Sequence, residues 1–157
     1  MSRDALIVGI NRYQYFSPLK APSIDAEAIA QRLEQDGEFQ KVVRLPEAIR
    51  TEGDLKRGVV SQKGRVSQQE LEHSLKQLFL PNSGQAPDTA LFYFSGHGLP
   101  DKEGYDKGYL VASETNPDHP RTGISLRWLQ WLLSESKVKQ QIVWLDCCNS
   151  GSLLINV

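Results

Sequence analysis

A chain of 157 residues, 39% hydrophobic and 24% charged, is long enough to bury one substantial core and has the make-up of a globular domain. Its 18 Lys and Arg against 19 Asp and Glu leave a net charge of −1, which removes the electrostatic case for a nucleic-acid or membrane-surface partner. No apolar run approaches the roughly 20 residues needed to cross a bilayer.

The N-terminal stretch MSRDALIVGINRY carries an apolar run from Ala5 to Ile10 without the small-residue cleavage site of a secretory signal. It predicts a first strand and a cytoplasmic protein. Ser23 to Gly37 follows as a helix, with Ile24, Ala28 and Leu33 along one side and Ile29 broadening that stripe. KVVRL (41–45) is a second short strand, and Thr51 to Val66 reads as a loop. SQQELEHSLKQLFL opens with the capping-box pattern Ser67-x-x-Glu70 and carries Leu71, Leu75 and Leu78 at helical spacing. His73 falls on the polar side of that helix. After a loop from Pro81 to Asp88, TALFYFSG (89–96) is a third strand.

Leu99 to Thr122 reads as a long loop holding a small β-excursion at KGYLVAS. SLRWLQWLLSE is a helix capped by Ser125, with Leu126, Leu129, and Leu132 or Leu133 on its apolar side, and QQIVWLD (140–146) is the last strand. Trp128, Trp131 and Trp144 are expected in the core. Three of the four apolar runs are near-continuous, as in parallel strands covered on both faces. Strand–helix alternation of this kind predicts a single α/β domain over 1–157 with a mainly parallel sheet and right-handed crossovers.

In such sheets ligands bind beyond the carboxyl ends of the strands, near the switch in strand order. The third strand ends in Ser95-Gly96-His97-Gly98 and the fourth in Asp146-Cys147-Cys148-Asn149-Ser150-Gly151. If these strands are neighbours, a histidine and a cysteine emerge side by side. Only a few per cent of an ordinary thiol is thiolate at neutral pH. An adjacent imidazole can take its proton and later protonate a leaving amine, while backbone amides of a Gly-rich turn stabilise an oxyanion. Gly96 and Gly98 would let the backbone approach a substrate. Taken singly, each signal also has a plain structural reading: a strand cysteine is most often a small core residue.

The two cysteines are adjacent, and a bridge between them would need a strained turn. His73, His97 and His119 show no metal-ligand spacing with them. The acidic loop PDKEGYDKG (Asp101, Glu103, Asp106) lacks the spacing of a calcium-binding EF-hand and reads as a solvated loop. No cofactor or metal is expected.

The blocks ALIVGINRY, FYFSGHG and VWLDCCNSG resemble the landmarks of caspase-fold cysteine peptidases, on the metacaspase and bacterial caspase-like (orthocaspase) side. The resemblance covers nearly the whole chain. The Gln-Ala-Cys-x-Gly signature of animal caspases is absent. The resemblance implies a three-layer caspase-like sheet of flavodoxin-like order, with His97 as catalytic histidine and Cys148 as nucleophile. Cys147 falls on a variable position, and Asn149 stands where the family usually has a non-catalytic histidine. Strand alternation agrees, since Trp144, Asp146 and Cys148 share one face and Val143, Leu145 and Cys147 the other. The backbone amides of Gly98 and Cys148 would form the oxyanion site.

By the same resemblance Asp25, Asp146 and Ser95 would line the pocket for the residue before the scissile bond, and Pro22 replaces a cysteine common in the family. Two carboxylates there favour Arg or Lys: one ion pair at 4 Å and an effective dielectric of 20 is worth roughly 4 kcal/mol before desolvation. Asp25 could instead cap the first helix. Nine residues follow Cys148, fewer than the small-subunit portion that completes the groove in the family, so a C-terminal small-subunit fragment or chain is an expected partner and QQIVWLDCC an exposed apolar edge. The expected function is an endopeptidase acting on protein or peptide substrates after Arg or Lys. The alternative is a catalytically silent caspase-fold interaction module, which would be marked by loss of the His or Cys. A flavodoxin-like phosphate site is disfavoured because GINRYQYFSP has no phosphate-cradling glycine loop.

Overall fold

The computed structural model describes residues 1–148, and the side chain of Cys148 lies outside that description. Its main sheet places β1 (Arg3–Gly9) between β2 (Lys41–Leu45) and β5 (Thr89–Leu99), with β8 (Gln140–Cys148) on the far side of β5. These four strands are parallel. The order β2-β1-β5-β8 reverses direction at β1, so a crevice is expected at the carboxyl ends of the central strands. The far end of β5 continues into a small antiparallel extension with β6 (Tyr109–Leu110) and β7 (Ile124–Ser125).

Two-residue alternation divides the apolar side chains between two cores. Leu6, Val8, Phe92 and Phe94 face α2 (Gln68–Phe79) and α3 (Leu126–Glu135), which bring Leu71, Leu75, Phe79, Leu126, Leu129 and Leu132 to the same cluster. Ala5, Ile7, Leu91 and Tyr93 face α1 (Ala21–Gln35). The result is the three-layer α/β architecture that the sequence predicts. The capping box at Ser67 and Glu70 is formed, and the Ser125 hydroxyl accepts from the Trp128 amide at the start of α3.

α1 uses the predicted stripe only in part, with Ile29 and Leu33 partly buried against the core. It buries Pro22, Ser23, Ala26 and Ala30, and leaves Ile24 exposed. The cause is close approach: a Cβ on Gly9 would lie 2.3 Å from the Pro22 carbonyl oxygen and 2.7 Å from Ala26 Cβ, so only small side chains fit beneath this helix. Arg44 of β2 fixes the helix from its other side. Its guanidinium, buried to 8% exposure, donates to Glu27 at 3.0 Å and to Glu34 at 2.7 Å, and Glu27 also accepts from the Val60 amide.

Three expectations need correcting. Thr51–Val66 is not simply a loop, because β3 (Glu47–Glu52) and β4 (Leu55–Val60) form an antiparallel hairpin. Trp131 and Trp144 are not core residues; they are 51% and 52% exposed. Trp144 lies on the α1 side of β8, where α1 covers β1 and β5 but no described helix covers β8. The acidic loop is not merely solvated. Asp106 accepts from the Ser125 hydroxyl and the Arg127 amide, and so ties the loop to the start of α3.

Candidate active site

The β5–β8 register sets the geometry. Tyr93 pairs with Trp144, Ser95 with Asp146, and His97 with Cys148. Successive rungs are about 6.6 Å apart by the rise of a strand. All candidate residues of both strands therefore belong to one short ladder at the carboxyl end of the sheet. Cys147, between them, is buried at 5% exposure against the Val143 and Leu145 side of the core, as alternation predicts.

His97 is half-buried at the end of β5. Its Nε2 lies 2.8 Å from the Ser17 carbonyl oxygen. A carbonyl only accepts, so Nε2 carries the proton and Nδ1 is left as the basic nitrogen. The loop after β1 wraps the imidazole: Tyr13 meets it edge-on at 4.7 Å between centroids, and Phe16 lies tilted at 5.3 Å. The Tyr13 hydroxyl donates to the Ile10 carbonyl at 2.8 Å and accepts from the His97 amide at 3.0 Å. Gly96 makes room for this clamp, because a Cβ there would lie 2.5 Å from the Tyr13 oxygen. The observed role of this glycine is thus to admit Tyr13. Gly98 is buried and registers with Leu110 of β6.

One rung back, Ser95 is buried and its partner Asp146 is exposed. The Tyr93 hydroxyl donates to Asp146 Oδ2 at 3.3 Å. Burial pushes the Tyr93 phenol up to about 12; Ser95 partly offsets the rise, and the carboxylates of Asp146 and Asp25 reinforce it. The influence of both carboxylates on one hydroxyl brings Asp25 of α1 and Asp146 of β8 to the same locality. Asp25 is exposed and does not cap α1, whose N-cap is Lys20. Ser95 and Asp146 are thus register partners, and Asp25 of α1 acts electrostatically on the same phenol. Pro22 sits within the buried face of the first turn of α1.

Tyr13, Phe16, Ser17 and Tyr93 were not singled out by sequence. Tyr93 is concealed in an apolar strand run, and the loop residues reach His97 only because β1 pairs with β5. Among the described residues no cluster of three or more His, Cys, Asp or Glu side chains could hold a metal ion, and no helix is long and apolar enough to cross a membrane. His73 and His119 are exposed and lie outside the ladder.

A histidine and a cysteine stand opposite each other at the carboxyl ends of neighbouring parallel strands, the arrangement a cysteine peptidase needs. The family model of the caspase domain matches residues 2–156, and the chain belongs to that family of cysteine peptidases. No curated protein matches it significantly.

Proposed function

We propose that the protein is a cysteine endopeptidase that cleaves protein or peptide substrates after Arg or Lys, with Cys148 as nucleophile and His97 as general acid and base. The observation that carries this reading is the register of His97 opposite Cys148 on adjacent strands, in a chain of the caspase-domain family. Nδ1 of His97 takes the thiol proton as sulfur bonds to the scissile carbonyl carbon, whose π electrons move onto oxygen. The amides of Gly98 and Cys148 stabilise that oxyanion. Collapse of the intermediate breaks the C–N bond, and the imidazolium gives its proton to the departing amine. Water then attacks the thioester as His97 accepts its proton; the C–S bond breaks, and the imidazolium returns that proton to the departing sulfur, restoring the thiol and the neutral imidazole. Ser17 holds the imidazole in the required tautomer throughout.

Asp25, Asp146 and Ser95 bind the cationic side chain that precedes the scissile bond. Among the described residues β8 pairs only with β5, and Ile142 and Trp144 are exposed on it. This open edge fits a further strand from a small-subunit segment that completes the substrate groove. The reading also makes 1–157 one catalytic domain portion and the cytoplasm its working compartment.

Profiling the protein, with its small-subunit partner present, against a peptide library tests the reading. Cuts confined to bonds after Arg and Lys, silenced by His97→Ala, are expected. Cuts after acidic residues, or full activity of His97→Ala, would contradict it.

A further inference from the structure

Tyr93 is 1% exposed, yet its hydroxyl ends at an exposed carboxylate one rung from His97 and Cys148. Most of its ring belongs to the core cluster beneath α1. Trp144, its register partner, meets that ring edge-on at 5.2 Å and 87°, which fixes the direction in which the phenol points. The ring lies on the Tyr93/Trp144 rung while its oxygen reaches forward to the Ser95/Asp146 rung. A buried, immovable donor thus grips a solvent-facing carboxylate that would otherwise sample several rotamers.

We propose that Tyr93 is a positioning residue of the specificity pocket, holding the Asp146 carboxylate aimed at the guanidinium or ammonium group of the substrate. This inference rests on the endopeptidase reading above and deepens it at the same site. One Asp146 oxygen accepts from Tyr93, leaving the other oxygen and the remaining lone pairs to receive N–H donors from the substrate. The phenol hydrogen stays in place across the neutral range, so the grip does not change with working pH.

The test uses Tyr93→Phe, which removes one oxygen and keeps the ring and its contact with Trp144. With an Arg-containing fluorogenic peptide, KM should rise about five- to tenfold while kcat stays within about twofold, the pattern of lost binding without lost chemistry. Agmatine, a guanidinium joined by a four-carbon chain to an ammonium group, should bind the wild type and bind Tyr93→Phe several-fold more weakly by isothermal titration calorimetry. Asp146→Asn changes an exposed side chain and should fold whether or not Tyr93→Phe does. Adding Tyr93→Phe to it should weaken agmatine binding no further, since Tyr93 acts through Asp146.

Unchanged KM and agmatine affinity in Tyr93→Phe, additive losses in the double variant, or a wild type that does not bind agmatine would each overturn the proposal. A wild type that binds agmatine in a Tyr93-dependent way but cleaves no peptide would sustain the pocket assignment and contradict the endopeptidase reading.

Discussion

The Ser17 carbonyl oxygen lies 2.8 Å from Nε2 of His97 and so sets the tautomer of the only histidine in the β5–β8 ladder. Among the described residues no side-chain acid orients that imidazole; a backbone carbonyl does, presented by a loop that Tyr13 anchors through its hydroxyl. In the proposed mechanism the loop after β1 therefore orients the base, although it contributes no reacting atom.

Tyr13→Phe should expose this dependence. The variant keeps the ring against His97 and loses the hydroxyl that links the Ile10 carbonyl to the His97 amide. Loss of a net hydrogen bond of about 1 kcal/mol corresponds to roughly a fivefold change. Steady-state kinetics should show it mainly in kcat, with KM little affected.

Gly96→Ala should be more damaging. The new methyl group would stand 2.5 Å from the Tyr13 oxygen, so the tyrosine must move away from the His97 amide. Overpacking of this kind costs about 1–3 kcal/mol, which should appear as a lower melting temperature together with reduced kcat. Tyr13→Phe combined with Gly96→Ala should recover part of the lost stability.

Arg44→Ala tests the mounting of α1 and of the pocket residue it carries. Removing the guanidinium leaves Glu27 and Glu34 without the cation they share, and Glu27 is largely buried. Breaking a buried pair from one side costs about 3–5 kcal/mol. The side-chain hydrogen bond from Arg44 holds the Glu34 carboxyl below its ordinary range, so that carboxylate should titrate higher in the variant. Urea denaturation measures the first effect and NMR titration of Glu34 the second.

Stability at low pH should depend on Asp88. Its carboxyl is held down to about 2, chiefly by the Lys139 ammonium, then by the Ser2 amide, and these bonds tie the starts of β1 and β8 together. A carboxyl whose folded value lies below its unfolded value stabilises the fold above the unfolded value. That contribution is lost as pH falls through the folded one. The melting-temperature advantage of wild type over Asp88→Asn should be constant above about pH 4 and vanish near pH 2. An advantage that persists unchanged at pH 2 would contradict this role.

Where burial is continuous, sequence and structure agree. The runs of β1 and β5 are apolar because the sheet is covered there, and the ends of β1, β5 and β8 fall close to the predicted positions. The β3–β4 hairpin escaped because Glu47 to Arg57 faces solvent on both sides, so no apolar alternation marks it. Trp144 misled for a related reason: its size suggested a core, but covering it depends on what lies over β8. The pairing of Ser95 with Asp146 follows from strand ends legible in the sequence. The part of Tyr93 could not be read there, since a tyrosine within LFYFSG gives no sign of where its hydroxyl ends. Cys148 falls at the predicted register position, while Asn149 and the rest of the terminal stretch lie outside the described residues.

The central claim is that Cys148, the register partner of His97, is the nucleophile, while Cys147 belongs to the core. Cleavage of an Arg-containing fluorogenic peptide by Cys148→Ala and by Cys147→Ala tests it most directly. Activity abolished in the first variant and retained in the second is the predicted result; retention in the first, or loss in the second alone, would contradict the account.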